Sequence, residues 1–297
     1  MSLSYFVCLK NIYIRDMCRI KHGGFISLAR TIICKIFGVI IHPQSKGFKK
    51  LRELIIAKKG LEIGGPSRVF SKSGLMPIYE IANRVDNCNF GQKTIWEDVL
   101  EEGENFRYGR GAVLGHQYIR EATDLHGIPS KGYDFVCSAD VIEHVANPLQ
   151  AIFEWIRILK DDGIMIIIVP HKQKTFDHKR PLTLLDHLIE DYTCGTTEDD
   201  TTHIGEVLEL HDLSMDPWAG SFGEFKERTL NNFQNRAVHQ HVFDVDLVIK
   251  MLNYAGIQIC NIEVCRPHRI VVIGKKFVNH QKIDNSTFLN KSSSYTF

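Results

Sequence analysis

Leu61-Glu62-Ile63-Gly64-Gly65-Pro66-Ser67 is an apolar strand end that carries an acid and runs into a glycine pair, and its reading decides the fold. A strand that turns sharply at a ligand needs glycine twice over: the turn wants unusual backbone angles, and a cofactor must approach the main chain without meeting a Cβ. Gly64 and Gly65 supply both. A carboxylate facing a ligand at this point suits a cationic or hydroxyl-bearing cofactor and repels a pyrophosphate. Dinucleotide folds place a third glycine here, whereas this chain has Pro66-Ser67, so a GxGxxG dehydrogenase is disfavoured. Taken alone, the heptad is equally compatible with a tight strand-to-helix turn that holds no ligand.

Outward from this turn, a second strand is expected to end near Val85-Asp86, a third to span Tyr118 to Ala122, and a fourth to cover Tyr133 to Ser138. Asn147 to Leu159 has helical period with Phe153, Ile156 and Leu159 inward, and Asp161-Asp162-Gly163 stops it. Ile164 to Val169 is a continuous apolar run, the pattern of a central parallel strand buried on both faces. The chain closes with a helix (Val245 to Asn253), a strand (Ile257 to Val264), an Arg266-Pro267-His268 turn and a strand (Arg269 to Gly274). This alternation predicts an α/β fold: a doubly wound, Rossmann-like sheet of seven strands with a terminal antiparallel strand. Residues 171–243 fit neither period and read as a large insertion after the fifth strand.

At 297 residues, 44% hydrophobic and 24% charged, the chain can bury one large α/β core. Eight cysteines form no CxxC pair, which argues against a zinc ribbon or a disulfide framework and for a reducing cytoplasm. The net charge of +1 hides an asymmetry: residues 1–60 hold twelve Lys/Arg and two Asp/Glu, a sum of +10, leaving −9 for the remainder. Phe25 to Ile41 is 17 residues long and interrupted by Arg30 and Lys35, too short and too charged to span a bilayer. On a helical wheel Ile26, Ala29, Ile33, Phe37 and Ile40 share an apolar face, which either packs on the domain or lies in a membrane interface. Residues 1–50 are therefore read as a basic amphipathic segment, with peripheral membrane contact through residues 1–45 as one of its two uses. Residues 51–277 form the main domain, and the polar, serine-rich 278–297 reads as a disordered tail. Nucleic acid is a poor partner, since the expected site and insertion are acidic and would repel phosphates. Oligomeric state has no signal in the sequence.

Glu62-x-Gly64-Gly65, an acid at the end of the second strand, Tyr133-Asp134-Phe135-Val136 and Val141-Ile142-Glu143-His144-Val145, in this order, resemble the class I S-adenosylmethionine-dependent methyltransferases. The phrases LEIGGPS, EHVANPLQA, PHKQKTFDHKRP and HQHVFD resemble a branch associated with bacterial surface polysaccharides. The resemblance implies S-adenosylmethionine as cofactor. It places Glu62, Gly64 and Gly65 at the methionine end, Asp86 on the ribose hydroxyls, Asp124 (or Ala122 or Thr123) at adenine, and Ser138 and Asp140 beside the sulfonium. For Asp86 and Asp124 the bland alternative is a carboxylate capping a helix.

If Asp140, Glu143 and His144 lie on a helix, their i, i+3, i+4 spacing puts all three on one face, where they could hold a divalent cation. The competing reading makes Asp140 an N-cap and Glu143 the partner in a capping box, the commoner use of such spacing. A similar arrangement binds metal in methyltransferases resembling the ubiquinone-pathway O-methyltransferases.

The segment from His171 to Val242 holds seven of the fourteen histidines and thirteen Asp/Glu against seven Lys/Arg. Rich in His, Asp, Asn and Trp218, it suits a polyhydroxylated acceptor that needs paired donors and an aromatic face. Methylation of an alcohol needs a base, and His171 and His178 are the candidates, with Asp177 to orient a ring. His203, Glu206, His211 and Asp212 match no zinc spacing and read as solvated loop chemistry. The leading reading is an enzyme that O-methylates a sugar hydroxyl in surface polysaccharide synthesis. The alternatives are a quinone, phenol or other small-molecule O-methyltransferase at the inner membrane face, and an inactive module that binds cofactor or protein.

Overall fold

The computed structural model describes residues 44–96, 99–108, 113–277, 283–291 and 295. The amphipathic helix expected at 25–41 falls outside them, as do residues 1–43 of the 1–45 segment expected to contact a membrane. Among the described residues no helix is long and apolar enough to cross a membrane.

Among the described residues eight strands form one sheet: β1 (Lys59–Ile63), β2 (Arg84–Asn89), β3 (Gly103–Arg107), β4 (Val113–Ile119), β5 (Tyr133–Ala139), β6 (Leu159–Pro170), β7 (Ile257–Cys265) and β8 (Arg269–Lys276). Their spatial order is β3-β4-β2-β1-β5-β6-β8-β7. The central five, β4-β2-β1-β5-β6, pair in parallel, whereas β3, β8 and β7 pair with their neighbours antiparallel. The α/β expectation stands, but seven strands become eight. The extra one, β3, is a polar edge ribbon with a single buried residue, Phe106, and has no apolar pattern to announce it.

Ile164 to Val169 does run buried on both faces. Met165, Ile167 and Val169 face one core with α2 (Pro148–Ile158) and α7 (Val245–Tyr254). Ile164, Ile166 and Ile168 face the other core, with α1 (Phe48–Ile55). The inward face of α2 is Leu149, Ile152, Trp155 and Ile158, all fully buried. Phe153 and Ile156 are only half-buried, one position off the expected stripe. Each full burial of such a side chain contributes about 1.5–3 kcal/mol, so this face alone outweighs any cap. Asn147 caps the helix by accepting from the Gln150 N–H at 3.0 Å, with Pro148 in the first turn. Asp161-Asp162-Gly163 does not end the helix as a loop but opens β6 with a register irregularity against β5.

Two strand ends are shifted from expectation. The second strand runs past Asp86 to Asn89, and the strand expected at Tyr118–Ala122 occupies Val113–Ile119. The tail expectation is corrected in part. Asn285 is buried, accepts from the Ile259 N–H at 2.8 Å and donates to the Ile257 carbonyl at 2.9 Å, just before α8 (Ser286–Leu289). β7 is a sheet edge with free backbone groups, and this one amide satisfies two of them despite the polar composition around it. Between β6 and α7 the described chain forms α3 (Leu185–Cys194), α4 (Ile204–Leu210), α5 (Phe222–Leu230) and α6 (Asn232–Asn235).

Candidate cofactor and acceptor site

The parallel strands change winding direction at β1, between β2 and β5, and ligands of such sheets bind at the carboxyl ends around that point. A cavity of about 320 Å³ opens there, lined by Gly64, Gly65, Asn89, Ala122, Asp140 and His144 among others. That volume is at the lower end of the range for small-molecule sites.

Gly64 has φ +81° and Gly65 has no room for a side chain, since a Cβ there would lie 2.2 Å from the Glu62 carboxyl carbon. Glu62 is fully buried beneath this turn and does not line the cavity. Its Oε1 accepts from the Ser67 N–H at 3.0 Å and its Oε2 from the Tyr79 hydroxyl at 2.6 Å. Burial and the Glu62 charge push the Tyr79 phenol far above its ordinary value, so it remains a donor. Where a direct contact to cofactor is expected of Glu62, the structure shows the acid holding the glycine turn from beneath. Asn87 completes the clamp, accepting from the Gly65 N–H at 2.9 Å and donating to its carbonyl at 3.1 Å and to Gln117 at 2.9 Å. Asn89 donates to the same carbonyl at 3.0 Å. This amide ladder was not anticipated from sequence, although two asparagines two residues apart in a central strand were its visible signal.

Asp86 does not line the cavity. It lies in the middle of β2, fully buried, bonded to Lys59 at 3.0 Å, Arg84 at 2.7 Å, the Tyr133 hydroxyl at 2.8 Å and the His116 N–H at 2.8 Å. Burial opposes its ionisation, but these donors outweigh it and hold the carboxyl below its usual value. Asn89 and Phe90, at the true strand end, line the cavity instead. Asp124 is exposed, 3.2 Å from the His126 ring and outside the cavity, where Arg120, Glu121 and Ala122 stand. Ser138 is buried inside β5 and does not line the cavity either, unlike Ala139 and Asp140 after it.

The expected helix over Asp140–His144 is a single tight turn, Ile142–His144, with Asp140 at φ +55° before it. The three side chains therefore share no helical face. Asp140 turns to Arg269, whose Nη2 donates at 2.7 Å to Oδ2, and its Oδ1 has no hydrogen-bond partner among the described residues. Burial raises this carboxyl, Arg269 lowers it more, and the net shift is down. Asp140 is thus taken out of the expected metal set and is no N-cap. Glu143 and His144 face His239 instead, with Glu143 Oε1 3.9 Å from His144 Nε2 and 4.0 Å from His239 Nε2. Burial pushes Glu143 up to about 8, and burial with the neighbouring His239 pushes His144 down to about 3. The His144 Nδ1 is 3.0 Å from the Val238 carbonyl, an acceptor only, so Nδ1 carries the proton and Nε2 the lone pair.

The expected bases are elsewhere. His171 is buried at the end of β6, accepts from the Gln173 N–H at 3.2 Å and is outside the cavity lining. His178 lies 2.8 Å from Asp212 and is also outside it. Asp177 does orient a ring, but that of His239, 2.5 Å from Nδ1, while its other oxygen takes Arg180 at 2.9 Å. Burial opposes its ionisation, yet His239 and Arg180 hold it down to about 2. His239 was missed because it is sixty-two residues away in sequence. Trp96, half-exposed, stands 5.5 Å from the His144 ring in the cavity wall, together with Thr94, Arg68, Glu198 and Arg236. Trp218 is exposed but does not line the cavity.

A cationic, hydroxyl-bearing cofactor fits these residues: the glycine turn offers close backbone approach, and Asp140 brings a carboxylate into the cavity lining. Residues 95–167 match the family of the methyltransferase domain. Among solved structures the chain is similar to an S-adenosylmethionine-dependent methyltransferase from Mesorhizobium loti, at 12% identity over 77% of this chain and 96% of that one, TM-score 0.45. It is also similar to such a methyltransferase from Aquifex aeolicus, at 14% identity over 77% and 89%, TM-score 0.36. These two likenesses are too distant to carry an argument about substrate. No curated protein sequence matches. The match marks residues 95–167 as a methyltransferase domain.

Proposed function

We propose that this methyltransferase transfers its methyl group to a hydroxyl of a polyhydroxylated acceptor, a sugar unit of a surface polysaccharide or its precursor, with His144 as the base. S-adenosylmethionine, when bound, supplies an electrophilic methyl group on a sulfonium. Gly64 and Gly65 would line its methionine end, Asn89 its ribose and Ala122 its adenine, with Asp140 beside the positive charge. The observation that carries the proposal is the state of His144: with Nδ1–H committed to Val238, Nε2 is the ring's proton acceptor, and the ring belongs to the cavity wall, against a half-exposed indole. An alcohol near pH 7 must lose its proton as its oxygen becomes a nucleophile, and a positioned imidazole contributes about 10²–10⁴-fold to such a step. The indole of Trp96 offers a sugar ring an apolar face, while Thr94, Glu198 and Arg236 offer donors and acceptors for its hydroxyls. The resemblance of LEIGGPS, EHVANPLQA and HQHVFD to the polysaccharide-associated branch supports the same acceptor class.

The test is release of S-adenosylhomocysteine from wild-type protein and His144→Gln, offered nucleotide sugars, oligosaccharides, phenols and quinones. Turnover with a sugar that falls by 10²-fold or more in the variant, with cofactor binding kept, is the expected result. Turnover with phenols or quinones alone removes the sugar acceptor, and an undiminished His144→Gln removes the base.

A further inference from the structure

We propose that His187, His203, His241 and Asp191 form a structural site for one divalent transition-metal ion of the zinc type, which fastens the segment between β6 and α7. The inference is independent of the acceptor reading. Nothing in the spacing of these residues announces it, because they come from three separate stretches of chain. His187 and Asp191 lie one turn apart on α3, so both project from the same face. His203 stands at the start of α4, and His241 lies in the extended stretch that leads into α7.

The three imidazoles face a common point. Their ring centroids are 5.1, 5.2 and 5.6 Å apart, a nearly equilateral triangle, with every pair edge-on. One ligand atom from each histidine lies within 4.8 Å of the others. His187 Nε2 and His203 Nε2 are 3.2 Å apart, and Asp191 Oδ2 is 3.4 Å from His187 Nε2 and 3.7 Å from His241 Nε2. A tetrahedral zinc ion with bonds of about 2.0–2.1 Å holds its ligand atoms about 3.3–3.4 Å apart. The His187–His203 and His187–Asp191 separations are close to that spacing with no ion imposed on them.

Chemistry favours an ion over a plain hydrogen-bonded cluster. Two Nε2 atoms at 3.2 Å can share only one proton, and the Asp191 Oδ2 is buried without a hydrogen-bond partner. Buried carboxylates and imidazoles left in that condition cost stability, whereas three lone pairs and one carboxylate are a complete ligand set for zinc, and imidazole also suits cobalt, nickel and copper. Partners outside the cluster orient the ligands. The Ala146 carbonyl, which only accepts, lies 3.3 Å from His241 Nε2 and fixes the proton there, which leaves Nδ1, buried with no hydrogen-bond partner among the described residues, as the His241 lone pair for the ion; Thr196 Oγ1 donates to Asp191 Oδ1 at 3.2 Å. His187 is 37% exposed while His241 is fully buried, so an ion would enter from the His187 side.

The experiment uses the full chain without a histidine tag, expressed with zinc and analysed for bound metals by mass spectrometry. About one ion per chain is expected, falling to background in His187→Ala and in His203→Ala but kept in Glu143→Gln, which tests the neighbouring Glu143/His144/His239 group. Cobalt exchanged into the site should show the visible absorption of tetrahedral coordination. Should either histidine variant fail to fold, wild-type protein still decides: a chelator should lower its melting temperature, and zinc should restore it. Protein that is metal-free as purified and whose melting responds to neither chelator nor zinc overturns the site. Metal that survives both histidine variants, or leaves with Glu143→Gln, overturns it as well.

Discussion

Gly65→Ala should disable cofactor binding and weaken the fold together, and the size of the effect follows from one contact. A Cβ at residue 65 would lie 2.2 Å from the Glu62 carboxyl carbon, where ordinary contact begins at 3.4 Å, so 1.2 Å must be found. The carboxylate cannot give that much while accepting from Ser67 at 3.0 Å and Tyr79 at 2.6 Å. Hydrogen bonds to a charged group are worth about 1.5–3 kcal/mol each, so losing both costs about 3–6 kcal/mol. The opposing gain, a stiffer unfolded chain, is only about 0.4–1 kcal/mol. At about 2 °C per kcal/mol for a chain of this length, the net loss of about 2–5.6 kcal/mol should lower melting by about 4–11 °C. Thermal unfolding with and without S-adenosylmethionine reads both effects. At a hundredfold excess over Kd the wild type gains about 2.7 kcal/mol, or about 5 °C, and the variant should gain none. A Gly65→Ala protein that melts within about 2 °C of wild type and keeps the full ligand shift would refute the clamp.

Asp86→Asn should destabilise the fold without touching the cofactor. Breaking a buried ion pair costs about 3–5 kcal/mol, and the low end applies because Lys59 and Arg84 are partly exposed, so melting drops while the S-adenosylmethionine shift stays; a lost shift would return Asp86 to the site. The rate of methyl transfer should rise with pH as Glu143, pushed up to about 8, gives up its proton and leaves a carboxylate 3.9 Å from His144 that favours the protonated ring. A pH profile of kcat checks this: Glu143→Gln should flatten the rise, and an unchanged profile would sink the role.

Legibility followed the range of the interactions. Ile164 to Val169 could be read as a central strand because burial on both faces leaves its mark within six consecutive residues. The turn at Gly64-Gly65 could be read because a close backbone approach excludes every other residue type there. Asp86 was misplaced because Asp86, Asn87 and Asn89 look like a strand giving way to a loop, whereas each is a buried partner in a network that needs the strand to continue. Phe106 alone could not mark β3 as a strand, since an edge ribbon buries too little to pattern its sequence. The histidines defeated local reading altogether. His178 sits beside Asp177 in the chain, yet the ring that Asp177 holds is His239, and only the packing of the segment after β6 onto the Glu143 turn brings them together.

The backbone of one residue joins the cavity to the histidine cluster. The Ala146 N–H donates to Glu198 in the cavity wall at 3.1 Å, while the Ala146 carbonyl contacts His241 at 3.3 Å. Glu198 in turn lies 3.5 Å from Arg236, a second wall residue. The glycine turn, by contrast, is held by Glu62, Tyr79 and Asn87, none of which touches this chain of contacts. Loosening the cluster should therefore disturb the acceptor wall and spare the cofactor. Chelated protein, assayed below its melting transition, is expected to show a raised KM for the acceptor with an unchanged Kd for S-adenosylmethionine. Equal loss of both affinities would mean that the cluster supports the whole fold rather than one wall, and loss of cofactor affinity alone would contradict the connectivity through Ala146.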